Sequence, residues 1–127
     1  MTMPNERTRA LRWGAEVLQE ICDDVLVCQN HRERAAQLLS NYPTSAKVLE
    51  WIQSDVHCIP VEAAIPIEGT ADLLNQVSRS QACSAELKRS LTYTLRHFPE
   101  HGSAERWTRS HTAWSIRTWL LPEDVYA

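Results

Sequence analysis

Apolar side chains recur along most of the chain at the three- and four-residue spacing of an amphipathic α-helix. One such stripe runs from Leu11 to Val25, and a second runs from Ala35 to Tyr42 and ends before Pro43. A shorter stripe follows from Val48 to Ile52. The first half of the chain therefore predicts three successive helices.

The helical spacing is interrupted at residues 54–69, where two prolines accompany a concentration of Val and Ile. Because proline lacks the backbone N–H that a helix interior uses, we interpret this segment as a connector that lies against the body of the protein. Helical spacing restarts at Thr70, continues after Ser84 and recurs from Ala104 to Leu121. The second half therefore also predicts three helices.

The two halves correspond when the chain is shifted by 56 residues. Residues 15–51 then align with 71–107 without a gap, and the identical pairs are Ala15/Ala71, Leu18/Leu74, Leu39/Leu95, Pro43/Pro99 and Trp51/Trp107. An aromatic-proline step that closes a helix and a tryptophan eight residues beyond it recur together. These matches predict an internal repeat. The competing explanation is that any two amphipathic helical hairpins can be aligned.

We accordingly predict an all-α fold of about six helices within one domain, residues 1–127. Two tandem three-helix units, 4–53 and 70–121, are expected to flank the connector at 54–69. Each unit alone would bury too little surface to be stable, so the two should share one core in a pseudo-twofold arrangement. The scarcity of glycine, three residues in all, also favours helices over turn-rich β structure.

Composition places the chain among globular proteins, with 43% hydrophobic and 23% charged residues. No apolar run approaches the roughly 20 residues that span a bilayer. The opening MTMPNERTRALRW also lacks the apolar stretch of a signal peptide. We therefore expect a cytoplasmic protein without a membrane partner. Its four cysteines form no CxxC pair, so we expect reduced thiols and no bound metal.

The candidates for catalytic chemistry are few. His97 and His101 have the spacing of two ligands on one helix face, but Pro99 between them should end the helix. His57 and Cys58 are adjacent, so in an extended segment they point to opposite sides. Three glycines leave no phosphate-binding loop. We predict no enzymatic activity, no cofactor and no small-molecule substrate.

The opening MTMPNERTRA and the segment LRHFPEHG at 95–102 resemble an uncharacterised family of short bacterial proteins that carry these two motifs in one copy. The first unit departs from that pattern because it has LLSNYPTS at the corresponding place, and the chain is about twice as long. The resemblance implies a small helical fold. It implies no activity and supplies no catalytic residues.

Our first functional hypothesis is a small interaction or regulatory protein that binds a protein partner or a second copy of itself. The predicted last helix carries apolar residues on more than one side, which a single core cannot cover. Tryptophan and arginine are typical interface anchors, so we expect the contacts to come from Arg109, Trp114, Arg117 and Trp119. The alternative is that this helix is buried in the seam between the two units.

A second hypothesis, ranked below the first, is a helical nucleic-acid-binding protein. Residues 79–117 are locally basic, and the fifth helix carries Lys88, Arg89 and Arg96, which could lie across phosphates. The net charge of −3 argues against non-specific binding by the whole molecule. Mixed-sign charge on a solvated helix surface explains the same residues without any nucleic acid.

Overall fold

The structure is a computed structural model that describes residues 2–109 and 115–123. Within these ranges the elements are helical and no strand is found: α1 (Pro4–Asp23), α2 (Gln29–Asn41), α3 (Ser45–Gln53), α4 (Val61–Ser80), α5 (Ala85–Leu95), α6 (Ser103–Arg106) and a 3₁₀ helix (Ile116–Thr118). The predicted all-α class is confirmed. No helix in these ranges is long and apolar enough to cross a membrane.

Local capping explains where the helices begin. Thr44 Oγ1 accepts the Lys47 backbone N–H at 3.1 Å, and Ser84 Oγ accepts the Leu87 N–H at 3.1 Å. Each bond satisfies one of the donors that a helix start leaves without an intrahelical partner. The first helix is capped differently, because the Met3 N–H donates to the Glu6 carboxylate at 2.8 Å.

The four longer helices pack crosswise around one core. α1 packs against α2 and α5, and α4 packs against the same two helices and against α6. Leu18 in α1 and Leu74 in α4 have no exposed surface. A direct polar contact also joins the halves, since the Asp24 carboxylate accepts the Ser84 backbone N–H at 2.8 Å. That hydrogen bond lowers the pKa of Asp24.

Two aromatic side chains that close helices meet at one glycine of α1. Tyr42 and Phe98 are both buried, at 8% and 6% exposure, as the sequence predicts. Both rings reach Gly14, where a Cβ would come within 2.5 Å of Tyr42 Oη and 2.8 Å of Phe98 Cε1. The Tyr42 hydroxyl donates to the Leu11 carbonyl at 2.5 Å. A side chain at position 14 would therefore displace both rings.

The fourth helix begins earlier than the sequence predicts. We expected a connector over 54–69, but α4 starts at Val61, and Pro66 lies inside it. An interior proline costs about 3 kcal/mol. Burial of an aliphatic side chain stabilises by about 1.5–3 kcal/mol, and Ala64, Pro66 and Ile67 are all buried here. Tertiary burial thus outweighs the local cost, and only residues 54–60 connect the helices.

The predicted last helix, Ala104–Leu121, is wrong. α6 ends at Arg106, and a short 3₁₀ helix forms at 116–118. A continuous helix would point Trp107 to the side opposite Ile116 and Leu120, whereas all three are buried. The segment instead bonds to the connector: the Ile116 N–H donates to the Val56 carbonyl at 2.8 Å. With the helix broken, Trp107, Ile116 and Leu120 are all buried.

Candidate functional site

The four residues that the sequence singles out for partner binding do not share one helix face. Arg109 is exposed after α6, with its Nη2 2.8 Å from Glu105 Oε1. Trp114 lies outside the described residues. Arg117 is exposed in the 3₁₀ helix, and Trp119 follows it. The prediction placed all four on one continuous last helix, and no continuous helix forms over 104–121.

Arg117 is engaged with the end of α3. Its Nε donates to the Ile52 carbonyl at 2.9 Å and its Nη2 donates to the Gln53 carbonyl at 3.3 Å. The Asp55 carboxylate lies 3.8 Å from Arg117 Nε and also accepts a hydrogen bond from the Ser115 hydroxyl. A cation at a helix C-terminus complements the exposed carbonyls. Arg117 therefore ties the C-terminal segment to α3.

Trp119 is half-buried against the rest of the chain. Its ring centroid lies 6.4 Å from that of Trp107. The Arg7 guanidinium lies 5.8 Å from the Trp119 ring centroid, and Arg7 Nη1 donates to the Trp119 carbonyl at 3.2 Å. These intramolecular contacts fix the Trp119 ring at the edge of the core. Less of the ring surface is therefore left for a partner to contact.

Lys88, Arg89 and Arg96 are exposed on or just after α5. They do not form a uniform basic surface, because Arg89 borders a groove whose opposite wall carries Glu16 and Glu20 of α1. Acidic side chains so close to the basic ones weaken the attraction for phosphate groups.

The groove between α1 and α5, which we call the aromatic groove, is an open depression on the surface of the protein. Its volume is about 300 Å³. Trp13 from α1 and Tyr93 from α5 meet there edge to face, with ring centroids 5.1 Å apart and an interplanar angle of 61°. Tyr93 is 58% exposed. Two helices that are far apart in the sequence thus present an open aromatic pair.

Arginines flank this pair at one end of the groove. The Arg9 guanidinium lies 5.9 Å from the Trp13 ring centroid, and that of Arg96 lies 5.9 Å from the Tyr93 ring centroid. Cation–π contacts at this distance are weakly attractive, about 0.5–1 kcal/mol at exposed sites. Arg96 has no carboxylate partner within the described residues.

Carboxylates mark the other end of the groove. Glu16 is exposed, and Glu20 accepts a hydrogen bond from Ser90 Oγ at 3.0 Å. Because α1 and α5 run in opposite directions here, Arg9 and Arg96 lie together and the two glutamates lie beyond the aromatic pair. At the basic end, Glu6 borders the two arginines and Glu123 Oε1 lies 3.7 Å from Arg9 Nε, so Arg96 is the arginine there without a carboxylate partner among the described residues. The other end is more acidic.

The sequence analysis missed Trp13 and Tyr93 because both lie outside the apolar stripes of their helices. A signal was present in the spacing. Arg9 precedes Trp13 by four residues, and Arg89 precedes Tyr93 by four. At that spacing side chains share a helix face, so an arginine and an aromatic ring off the core stripe indicate an exposed contact surface.

His97 and His101, which the sequence suggested as possible metal ligands, contact different carboxylates. His97 Nε2 lies 3.2 Å from Glu6 Oε2, whereas His101 Nδ1 lies 3.0 Å from Asp72 Oδ1. In the part of the chain that the structure describes, no group of three or more His, Cys, Asp or Glu is arranged to hold a metal ion.

All four cysteines are free thiols. Cys28 and Cys58 are exposed, whereas Cys22 and Cys83 are half-buried. Burial raises the pKa of the Cys22 and Cys83 thiols. A raised pKa lowers the thiolate fraction, so neither half-buried cysteine has the environment of a nucleophile.

Comparison of the chain with protein-family models, with curated proteins and with solved structures finds no match. The function has to be inferred from the geometry of the described residues.

Proposed function

We propose that this chain is a small helical protein-binding module whose docking surface is the aromatic groove. The observation that carries the proposal is the pair formed by half-buried Trp13 and exposed Tyr93, with an arginine near each ring. Tryptophan, tyrosine and arginine dominate the binding energy of protein interfaces. Rings already held in place lose little conformational freedom when a partner binds.

The occupant that fits this groove is an amphipathic helix of another protein. A groove between two helices accepts the apolar face of a third, with anchors spaced three and four residues apart. Arg96 at the basic end of the groove favours an acidic residue on that helix one turn away from the residue that contacts Tyr93. This proposal moves the interface from the C-terminal segment to α1 and α5.

A site-specific photo-crosslink tests the proposal. A benzoylphenylalanine at position 93 is compared with one at Ile65 of α4, which is 63% exposed and so matches the exposure of Tyr93. After irradiation in a lysate of the source organism, the crosslinked peptides are mapped by mass spectrometry. We expect one helical segment with Asp or Glu within a turn of the crosslink, formed at position 93 and not at position 65.

Variants then measure the contribution of each anchor to the affinity of the mapped peptide. Tyr93→Ala is expected to weaken binding about 30-fold, the effect of a typical hot-spot residue. Arg96→Glu should weaken binding of the peptide about twofold to fivefold. Arg79→Glu, at an exposed position on α4, should leave binding unchanged. Circular dichroism verifies folding. Equal crosslinking at positions 93 and 65, or crosslinks only between copies of this chain, would refute the proposal.

We also propose that the two halves are copies of one three-helix unit. With the shift of 56 residues, α5 starts at the equivalent of the first residue of α2, and the ends of α4 fall one residue from those of α1. Buried side chains correspond as well, in the pairs Leu11/Ile67, Leu18/Leu74, Ile21/Val77, Tyr42/Phe98 and Trp51/Trp107. Superposition of 15–51 on 71–107 in a crystal structure tests this, and helices that do not overlay would reject it.

The resemblance to the short bacterial family remains a prediction. It suggests that a single unit exists elsewhere as an independent chain, and such a chain would need a second copy to complete its core.

A further inference from the structure

A second cavity lies on the side of the molecule where the start of α1, the end of α5, α6 and the segment around Trp119 meet. Its volume is about 330 Å³. We call it the arginine cavity, because Arg7, Arg96 and Arg106 all line it. Phe98, Trp107 and Trp119 supply aromatic surface in the same wall.

The charge in this cavity is not balanced. Three guanidinium groups face a single lining carboxylate, Glu100. Arg7 is held by carbonyl oxygens, with Nη1 3.2 Å from the Trp119 oxygen and Nη2 3.2 Å from the Thr2 oxygen. Carbonyls fix its position without neutralising its charge.

Arg96 and Arg106 make no ion pair within the described ranges 2–109 and 115–123. His97, which also lines the cavity, is paired with the Glu6 carboxylate, whose Oε2 lies 3.2 Å from Nε2. That carboxylate is therefore occupied by the histidine. The two exposed guanidiniums remain available to an anion that enters the cavity.

The indole of Trp107 supplies an independent observation. Trp107 is 3% exposed, and its Nε1 is a buried donor without an acceptor among the described residues. Buried donors are almost always paired in native proteins, because an unpaired one loses its hydrogen bond to water and gains nothing in exchange. Trp107 also lines the arginine cavity, so this unpaired donor belongs to a residue of the cavity wall.

We propose that the arginine cavity binds a small molecule with an oxyanion group, a carboxylate or a phosphate, attached to an apolar or aromatic part. Arg96 and Arg106 would bind the oxyanion through charge-assisted hydrogen bonds, and the Trp107 Nε1–H would donate to one of its oxygens. The apolar part would contact Phe98 and Trp119. A volume of about 330 Å³ lies at the lower end of the range for small-molecule sites.

The proposal is independent of partner docking at the aromatic groove. Arg96 and His97 border both places, so Arg106 and Trp107 distinguish them. Loss of anion binding in Arg106→Gln with partner binding intact would separate the two sites.

Tryptophan fluorescence gives a direct assay, because Trp107 and Trp119 are in the cavity wall. Phenyl phosphate, benzoate and inorganic phosphate are titrated separately at constant ionic strength set with sodium chloride. We expect a saturable change with phenyl phosphate or benzoate, and weaker binding of inorganic phosphate, which lacks an apolar part. The stronger of the two aromatic probes identifies the preferred oxyanion.

Matched variants decide whether the cavity is responsible. Arg106→Gln is expected to weaken the stronger probe at least about tenfold, as loss of a hydrogen bond to a charged group would. Arg79→Gln, on α4, should leave the dissociation constant unchanged. Trp107→Phe keeps an aromatic ring but removes the indole N–H donor. Because this variant lacks one of the reporting tryptophans, calorimetry replaces fluorescence as the binding assay.

No saturable response to any probe up to about 10 mM, the weak limit of specific small-ligand affinity, would overturn the proposal. Equal weakening in Arg106→Gln and Arg79→Gln would also overturn it, because that result indicates a general charge effect. Should Trp107→Phe fail to fold, the double variant Arg96→Gln/Arg106→Gln decides, since both side chains are exposed and neither supports the core.

Discussion

Replacing Gly14 by alanine tests the closest packing in the protein. Within a helix, alanine is favoured over glycine by about 1 kcal/mol, so propensity alone predicts a more stable variant. The structure predicts the reverse. The new Cβ would lie 2.5 Å from Tyr42 Oη and 2.8 Å from Phe98 Cε1, much closer than carbon atoms approach in proteins.

Whether Gly14→Ala raises or lowers the free energy of unfolding depends on the size of these opposing contributions. Inserting a methyl group into a well-packed core costs about 1–3 kcal/mol. Displacing the Tyr42 ring also weakens its hydrogen bond to the Leu11 carbonyl, which contributes about 1 kcal/mol. After the propensity gain is subtracted, we expect Gly14→Ala to lower the free energy of unfolding by about 1–3 kcal/mol.

Gly69→Ala is the matched control, because Gly69 lies in α4 as Gly14 lies in α1. Its Cβ would approach Leu38 Cδ2 to 2.7 Å, but that atom is the end of a flexible side chain that can turn away. We therefore expect Gly69→Ala to be near neutral or stabilising.

Urea unfolding followed by tryptophan fluorescence measures both variants. The double variant Gly14→Ala/Tyr42→Phe removes the oxygen that the new methyl group meets, so it should be more stable than the sum of its single changes predicts. A Gly14→Ala protein as stable as the wild type would refute the described packing of Tyr42 and Phe98.

Three further predictions follow from particular contacts. Arg12 forms two hydrogen bonds with Glu123, at 2.7 and 2.8 Å, which lower the pKa of that carboxyl below its ordinary value of 4.5. The wild type should therefore be more stable than Glu123→Gln above about pH 5, and this difference should disappear as acid protonates the carboxyl in the folded protein. Thermal unfolding at several pH values measures the difference, and a difference that persisted at pH 2 would contradict the prediction. Ser84→Ala and Thr44→Ala should each cost about 1 kcal/mol in urea unfolding because each loses a helix cap, and no cost in either would contradict the capping geometry. With a thiol reagent in native buffer, Cys28 and Cys58 should react before Cys22 and Cys83, and a uniform rate for all four would contradict their placement.

Local signals explain which parts of the fold the sequence could predict. The apolar stripes locate the first three helices, and the fifth helix begins after Ser84 as its sequence pattern predicts. Burial of Tyr42 and Phe98 also follows from an aromatic residue before a helix-ending proline. Each of these inferences needs only neighbours within a few residues.

The candidate site was less predictable, because its members come from different helices. Trp13 and Tyr93 are separated by most of the chain and meet only when α1 packs on α5. The residues chosen from the sequence, such as Trp119, were selected by composition within one expected helix. That helix does not form, so its residues are distributed over separate contacts.

The sequence by itself determined that this protein is helical, because the spacing of apolar residues and the helix caps act within a turn or two of the chain. The tertiary structure decided where α4 begins and where the last helix stops. In both places burial of side chains such as Ile67 and Leu120 competes with local preference, and burial depends on helices distant in the sequence. The aromatic groove and the arginine cavity arise for the same reason, since each exists only where separate helices pack together.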